Sequence, residues 1–259
     1  MAGMPFGEET VTETVLLDLK ISYPGTIWIV PFNKHQESKI GADWEWCFAS
    51  EDEEHFLPML VQAKVLDDRE ESYQHISRTI GNTGIRQIDR LIETGSRRGV
   101  PTTYAFYNHV TDEGRLPQMC GSLLPGYSQS EPWGISIACA ERVRGLLPDQ
   151  KFESIKQVSK PLHCLLCTGG DSNLPKRGSP EAIYRSMGRE LKSVRDDIWR
   201  PRQERPAYYN QVMELMSDFE EGERIFDHRA MMREKLAGAN PELDGIVILR
   251  DGRRRLRRD

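Results

Sequence analysis

Two mainly apolar stretches flank an acidic run in the first third of the chain. The stretches cover residues 40–48 and 56–66, and the acidic run covers residues 50–54. Short apolar stretches rich in β-branched and aromatic residues are typical of strands, and a charged run between two of them indicates a solvated turn. The pattern therefore predicts a β-hairpin.

Polar residues occupy alternate positions in part of each predicted strand. Asp43 and Glu45 do so in the first strand, and Gln62 and Lys64 do so in the second. Because successive side chains of a strand point to opposite faces, each pair shares one face. When the two polar faces are aligned, they bring together two carboxylates, an amide and an ammonium, which can hold a divalent cation and activate a water molecule. A surface hairpin whose charges are merely solvated is the alternative interpretation.

Further periodic segments surround this hairpin. An apolar stripe at helical spacing predicts a first helix, and aromatic and β-branched runs predict additional strands. The segments are a helix at 5–20, a strand at 26–32, the hairpin, a helix at 82–96 and a strand at 102–108. This order of helix, three strands, helix and strand predicts an α/β fold.

The pattern changes after the last of these strands. Residues 109–131 are rich in Gly, Pro, Ser and Gln and predict a long loop, a candidate substrate-contacting segment or partner surface. Residues 162–167 predict a buried strand, and residues 243–250 predict a short one. Because helical patterns dominate the last third, we divide the chain into an α/β domain over 1–178 and an α-helical C-terminal extension with a basic tail over 179–259.

Composition and charge limit the kinds of protein that this chain can be. The 259 residues include 38% hydrophobic and 29% charged side chains, which suits a packed core with a well-solvated surface. The net charge of −5 is unusual for a dedicated nucleic-acid binder, yet residues 250–259 carry six Arg and two Asp. Such a basic tail binds phosphates nonspecifically. A solvated end that serves solubility is an equally open interpretation.

Cysteine usage and hydropathy exclude several other classes. Five cysteines in a chain of this size do not form a disulfide framework, and Cys164 and Cys167 lack the second pair that a structural zinc site needs. We expect these thiols to be buried apolar side chains. No run approaches the ~20 apolar residues that span a membrane, and the N-terminal residues resemble no export signal. We expect a cytoplasmic protein without a membrane partner.

Asp43, Gln62 and Lys64 form the pattern Asp-x18-Gln-x-Lys, which resembles the motif of the PD-(D/E)XK, or restriction-endonuclease-like, nuclease superfamily. Its Gln-x-Lys form is similar to that of Mrr-type endonucleases. The resemblance implies an αβββαβ core with a mixed central sheet flanked by helices, in agreement with the predicted segments. The chain departs from the superfamily pattern at two points, because Gly41-Ala42 replaces the motif's proline and because Gln62 is a neutral oxygen donor.

The resemblance also implies a function and a cofactor. It implies a metal-dependent endonuclease that hydrolyses phosphodiester bonds of DNA, for example in bacterial anti-phage defence. Asp43, the Gln62 side-chain oxygen and the Ala63 carbonyl would hold Mg²⁺ or Mn²⁺, which prefer hard oxygen ligands. Lys64 would orient or deprotonate the attacking water, and Glu45 would be a further ligand or a base.

Three more residues receive roles from this resemblance. In several branches a glutamate of the first helix joins the metal site; Glu9 and Glu13 lie one turn apart, so either can serve, and we favour Glu9. Gln87 is expected to touch the site or the substrate. Tyr73 either stacks on a base or sugar of the substrate or caps the core, and we favour the cap.

Two further interpretations stay open. A nuclease-like fold without activity can serve as a binding or scaffold module, as a homo-oligomer or with a partner protein of a defence system. RNA is as compatible with the site residues as DNA is. In the enzymatic interpretation the partner of the chain is a nucleic acid.

Overall fold

The computed structural model describes residues 8–23, 25–31, 40–117, 130–166, 178–191, 200–217, 234–239, 243 and 245–250. Over these residues the chain forms an open, mixed sheet of eight strands with helices packed on both faces, which confirms the predicted α/β class. The strands are β1 (Ile27–Pro31), β2 (Trp44–Ala49), β3 (Phe56–Asp67), β4 (Ser72–Tyr73), β5 (Thr102–Tyr107), β6 (Ile135–Cys139), β7 (Ser159–Pro161) and β8 (Gly245–Arg250). The helices are α1 (Glu8–Ser22), α2 (Gln87–Arg98), α3 (Ser130–Trp133), α4 (Ala140–Arg144), α5 (Phe152–Val158), α6 (His163–Leu166), α7 (Pro180–Leu191) and α8 (Tyr209–Ser217). A 3₁₀ turn spans Glu113–Arg115, and residues 234–239 form a further helical segment.

The strands follow the order β1-β8-β2-β3-β5-β6-β7, and β4 pairs only with β3. Two neighbouring pairs, β8 with β2 and β3 with β5, are parallel. The remaining pairs are antiparallel. The long strand β3 therefore lies in the middle of the sheet, between an antiparallel and a parallel neighbour.

The predicted hairpin is present as β2 and β3. Its register pairs Trp44 with Val61 at one end and Ala49 with Phe56 at the other. The acidic run forms the connecting turn, which the Ser50 N–H closes by donating to the His55 carbonyl at 2.9 Å. Since Trp44 opposes Val61, the residues that precede and follow this pair, Asp43 and Gln62, come to lie side by side.

Two hydrophobic clusters cover the two faces of the sheet. The first joins β2 and β3 to the helices α2, α4, α5 and α8 through residues such as Leu60, Leu91 and Val212. The second joins the opposite face to α1 and α7 through residues such as Leu16 and Met187. Because both faces are covered, β3 is buried along its first nine residues, and polar side chains in that stretch must find partners inside the protein.

The connection from β3 to β5 runs through α2 and returns parallel to β3. Ile88, Leu91 and Ile92 form the buried stripe of this helix, as the sequence pattern predicts. The helix ends at Gly99, whose left-handed φ of 63° places its N–H on the carbonyls of the last turn. This crossover sets the first turn of α2 on the face of the sheet that carries Gln62.

The last strand corrects the predicted division of the chain. Residues 245–250 form β8, which is inserted between β1 and β2 and runs parallel to β2. Four of its six residues, Gly245 to Ile248, are buried. Residues 245–250 therefore belong to the central sheet, and only α7, α8 and residues 234–239 give the region after residue 178 its helical character.

A second prediction was wrong. The apolar run at 162–167 was predicted as a strand, but residues 163–166 form the short helix α6 after the three-residue strand β7. Cys164 is buried there as a reduced thiol whose Sγ lies 3.7 Å from His163 Nε2; Cys167 lies outside the described residues. Among the helices of the described ranges, none is long and apolar enough to cross a membrane.

Candidate active site

Asp43 stands immediately before β2 and is fixed by both neighbouring elements. Its N–H donates to the Val61 carbonyl of β3 at 3.0 Å. Two residues earlier, Gly41 has φ 78°, and a Cβ at this position would lie 2.4 Å from the Gln87 carbonyl oxygen. Only glycine allows both the left-handed backbone and this close approach. The segment that carries Asp43 is therefore packed directly on the first turn of α2.

A chain of hydrogen bonds links Asp43 to β3 and α2. The Asp43 Oδ2 atom accepts from the Ala63 N–H at 2.9 Å and from the Gln62 Nε2 at 2.5 Å. Gln62 Nε2 also lies 3.3 Å from the Ala63 carbonyl oxygen. The other end of the Gln62 amide, Oε1, accepts from Gln87 Nε2 at 2.8 Å. The predicted residues Asp43, Gln62, Ala63 and Gln87 thus form one connected group.

Lys64 lies two residues beyond Gln62 on the same face and is also buried. Its Nζ donates to both carboxylate oxygens of Glu8, at 3.0 and 3.2 Å. The Lys64 side chain is 8% exposed and that of Glu8 is 33% exposed. An ion pair that is shielded on one side holds the ammonium more firmly than a surface pair does. Glu8 therefore fixes the Lys64 ammonium, two residues after Gln62 along β3.

The glutamate that α1 brings to this face is Glu8, whereas the sequence analysis favoured Glu9. The side chain of Glu9 lies outside the described part of the chain. Thr12 and Leu16 are buried, and residues four apart lie on one face of a helix, so the buried stripe of α1 continues back to Glu8. The predicted apolar stripe of this helix, Val11, Val15, Leu16 and Leu19, includes Leu16, but the polar Thr12 does not extend it toward Glu8.

Glu45 shares a strand face with Asp43 but belongs to a different polar group. Its carboxylate pairs with Arg98 at 3.1 Å and is 7% exposed. Burial raises the pKa of Glu45, and the Tyr208 hydroxyl and the charges of Arg98 and Arg202 oppose that rise. Glu45 thus joins β2 to the end of α2 and to the segment before α8, and its described partners do not include Lys64.

Tyr73 occupies the core position that the sequence analysis favoured for it. The residue is 1% exposed, and its ring lies 4.5 Å from that of Phe106. Its hydroxyl donates to Asn108, and burial raises its pKa. A ring enclosed in this way caps the core beside β5 and is not offered to a nucleic-acid base.

One family model matches residues 1–253, a range that includes every element described above. The chain belongs to the DUF6615 family. That family is described as one of unknown function. No curated protein and no solved structure matches this chain. The chemistry of this DUF6615 protein must therefore be argued from the geometry of the site.

The donor atoms of the DUF6615 site suit a hard divalent cation. Carboxylate oxygens of Asp43 and Glu8, the Gln62 side-chain oxygen and the Ala63 carbonyl are the oxygen donors that Mg²⁺ and Mn²⁺ prefer. In the arrangement described above, however, Gln62 turns its nitrogen toward Asp43 and its oxygen toward Gln87. The residues present fit the cation in kind, and the Gln62 amide must reverse for its oxygen to take part.

A buried hydroxyl beside this group points to a further polar occupant. Tyr104 lies opposite Gln62 in the β3–β5 register and is fully buried. Burial, followed by the negative charges of Asp43 and Glu8, raises its pKa. Within the described residues its hydroxyl has no hydrogen-bond partner. Because buried polar atoms in folded proteins are nearly always paired, water or another polar species is expected here.

A different cluster of potential ligands lies at the far end of the β2–β3 hairpin. Ligand atoms of Asp52, Glu54 and His55 come within 4.8 Å of one another. Asp52 accepts from Ser50 and from the Glu54 N–H, and the Ser50 bond lowers its pKa. These contacts shape the loop, and exposed acidic groups of this kind are common without a cation. Asp52 is therefore a suitable control position for substitutions of Asp43.

Proposed function

We propose that this DUF6615 protein is a metal-dependent endonuclease that hydrolyses phosphodiester bonds of DNA. The observation that carries the proposal is that Asp43 is hydrogen-bonded to both Gln62 and Ala63 of β3. Lys64 follows two residues after Gln62 in the same strand, and its ammonium lies 3.0 Å from the carboxylate of Glu8. This is the inventory that a PD-(D/E)XK nuclease of the Gln-x-Lys type requires.

The arrangement of the elements supports the same proposal. The order α1, β1, β2, β3, α2 and β5 corresponds to the αβββαβ core, apart from the two-residue strand β4. The antiparallel β2–β3 pair carries the motif, and α2 crosses over to β5, which runs parallel to β3. The insertion of β8 between β1 and β2 is an addition to that core.

The proposed roles follow from the contacts of each residue. Asp43, Ala63, Glu8 and, after reversal of its amide, Gln62 would hold Mg²⁺ or Mn²⁺. When bound, such an ion polarises the phosphoryl oxygen and lowers the pKa of a coordinated water. Lys64, held in place by Glu8 as an ammonium, orients the attacking water and offsets the negative charge that develops on the phosphate oxygens.

A catalytically silent binding module is the second candidate, and a specific observation favours it. Lys64 is paired with Glu8, and Asp43 accepts two N–H bonds, so the polar groups satisfy one another. A group that is complete by itself can be retained for structural reasons alone. Cleavage assays distinguish this candidate from the enzyme.

The test compares the wild type with Asp43→Ala and with the matched control Asp52→Ala, which removes an exposed carboxylate at the far end of the hairpin. Each protein is incubated with plasmid DNA or single-stranded RNA in Mg²⁺, Mn²⁺ or EDTA. We expect metal-dependent DNA cleavage by the wild type and the control, and a loss of about 10²–10³-fold or more in Asp43→Ala. A wild type that is inert in every condition would support the silent module, and cleavage of RNA alone would reassign the substrate.

Lys64→Met provides a second prediction at the same site. Because Lys64 acts on the attacking water and on the charge of the transition state, its removal should abolish cleavage while DNA affinity falls by less than about tenfold. Affinity is measured by fluorescence anisotropy with Ca²⁺ in place of Mg²⁺. An equal loss of affinity and cleavage would contradict a catalytic role for Lys64.

A further inference from the structure

Two glutamine side chains, hydrogen-bonded one to the next, determine which atom faces the Asp43 carboxylate. Gln87 Nε2 donates to Gln62 Oε1 at 2.8 Å, and Gln62 Nε2 donates to Asp43 Oδ2 at 2.5 Å. A primary amide carries donors at one end and an acceptor at the other. The end that Gln62 presents to Asp43 therefore depends on the end that Gln87 presents to Gln62.

The observed orientation blocks a cation. The Gln62 NH₂ group covers Asp43 Oδ2 and also lies 3.3 Å from the Ala63 carbonyl oxygen. Both oxygens are proposed cation ligands. A cation needs oxygen lone pairs, so the Gln62 amide must turn its oxygen toward them, and its NH₂ group then faces Gln87. Gln87 can accept that NH₂ group only by reversing its own amide.

The backbone of Gln87 is held in place beside Gln62. Its backbone N–H donates to the Arg78 carbonyl at 2.8 Å, and its carbonyl lies against Gly41, where there is no room for a Cβ. Gln62 is 1% exposed, so bulk water does not replace Gln87 as its partner. The backbone is fixed on both sides, and the two amides are the parts that can turn.

We propose that Gln87 is a positioning residue that sets the orientation of the Gln62 amide and thereby the affinity of the Asp43 site for a divalent cation. The inference rests on the proposed metal site and adds the paired reversal of two amides as the event that accompanies cation binding. Glutamine suits position 87 because it can donate in one state and accept in the other.

The test measures Mn²⁺ binding to the full chain by isothermal titration calorimetry, without nucleic acid. Gln87→Glu can only accept, so it holds Gln62 with its oxygen toward Asp43, and we expect Mn²⁺ affinity to rise about tenfold. Gln87→Lys can only donate, so it holds the blocking orientation, and we expect a fall of about tenfold. Loss of an outer partner of a metal ligand commonly changes affinity by about 10–100-fold. Two variants show where Mn²⁺ binds. Loss of the binding isotherm in Asp43→Ala assigns it to the candidate site, and loss in Asp52→Ala assigns it to the hairpin loop.

Net charge alone would also favour Mn²⁺ in Gln87→Glu, so both substitutions are repeated in a Gln62→Met chain, which has no amide at position 62. We expect the two effects to shrink to about threefold or less there. Effects of equal size in both chains would overturn the inference while leaving the metal site intact. A wild type that binds no Mn²⁺ through Asp43 would overturn the proposed metal site and the inference together.

A second measurement does not depend on the affinity of the Gln62→Met chain. The ¹⁵N side-chain amide resonances of Gln62 and Gln87 are followed while Mg²⁺ is added to the wild type. Paired reversal predicts that both resonances shift together and that neither shifts in Asp43→Ala. A shift confined to Gln62 would show that Gln87 keeps its orientation, and would overturn the inference.

Discussion

Asp43 and Glu45 lie two residues apart on one face of β2, and their surroundings differ. Asp43 is partly exposed and accepts two N–H bonds, whereas Glu45 is buried and paired with Arg98. The two donors on Asp43 are neutral N–H groups of β3. A buried carboxylate that is tied to an arginine instead joins elements of the fold. Alternation along a strand predicts the shared face, but the partners that decide each role come from distant parts of the chain.

The raised pKa of Glu45 leads to a prediction about stability. A carboxyl group whose pKa is higher in the folded than in the unfolded protein binds its proton more tightly when folded. The wild type therefore loses stability as pH rises from the ordinary value near 4.5 through the raised value. Gln at this position does not titrate. The free energy of unfolding of Glu45→Gln, relative to the wild type, should therefore increase between pH 4 and pH 7.

Urea denaturation followed by tryptophan fluorescence at both pH values measures this difference. Glu54→Gln, at an exposed position in the hairpin turn, is the control and should show a smaller pH dependence than Glu45→Gln. The free energy of unfolding of Glu45→Gln minus that of the wild type should rise toward pH 7. A difference that stays constant or declines would contradict the raised pKa.

At the scale of elements, the contact between α2 and the segment before β2 determines the geometry of the site. Gly41 lies against the Gln87 carbonyl and the Leu91 N–H, so a shift of either element displaces Asp43 relative to Gln62 and Gln87. A single glycine thus couples the helix to the strand that carries the candidate ligand.

Gly41→Ala should destabilise the protein for two separable reasons. The left-handed φ of 78° disfavours any Cβ by about 1–2 kcal/mol, and the contact with Gln87 adds about 1–3 kcal/mol. Gly25→Ala is a matched control, since Gly25 has φ 77° and no atom within 4 Å of the place that a Cβ would take. We expect losses of about 2–5 kcal/mol and about 1–2 kcal/mol respectively, measured by chemical denaturation. Equal losses of stability in the two variants would show that the close approach of residue 41 to α2 adds nothing to the destabilisation.

Elements with a long or strongly patterned sequence could be predicted, and short ones could not. The hairpin and the stripe of α2 were recognisable because their apolar periods extend over many residues. The run at 162–167 is too short for periodicity to separate strand from helix, and the structure shows α6 at its centre. Glu8 was missed because the buried face of α1 is set by its packing on the sheet, and Thr12 gives no apolar signal.

At the scale of the whole molecule, Arg250 and the candidate site lie at opposite ends of β2. Arg250, the last residue of β8, stacks on Trp28 at 4.7 Å and pairs with Glu53 at 2.8 Å. It aligns with Ala49, whereas Asp43 precedes Trp44 at the other end. Six residues of strand separate the two levels by roughly 20 Å.

Replacement of the tail arginines by glutamine should weaken DNA binding without altering the site. The five positions are Arg253, Arg254, Arg255, Arg257 and Arg258. Each lost phosphate contact lowers the magnitude of the slope of log K against log salt by about 0.9, so the magnitude should fall by up to about 4.5. Anisotropy titrations of a labelled duplex at several KCl concentrations measure the slope, and Mn²⁺ affinity is the control. An unchanged slope would support a role of the tail in solubility alone.

The strand order was the part of the fold that the sequence did not disclose. Local patterns predicted β1, β2, β3 and a short strand at 243–250, but no local pattern states which strands become neighbours. Pairing of β8 with both β1 and β2 depends on contacts across most of the chain, including the close fit of Gly245 against Trp44.

The central position of β8 has a consequence for biosynthesis. A ribosome makes β1 and β2 early, and the strand that joins them emerges only after most of the chain has been translated. Until then the nascent polypeptide has two apolar strand edges without their neighbour, a state that invites aggregation. Trp44 and the strand that follows Asp43 therefore reach their final positions only when β8 enters the sheet. A prematurely terminated chain would lack a complete candidate site.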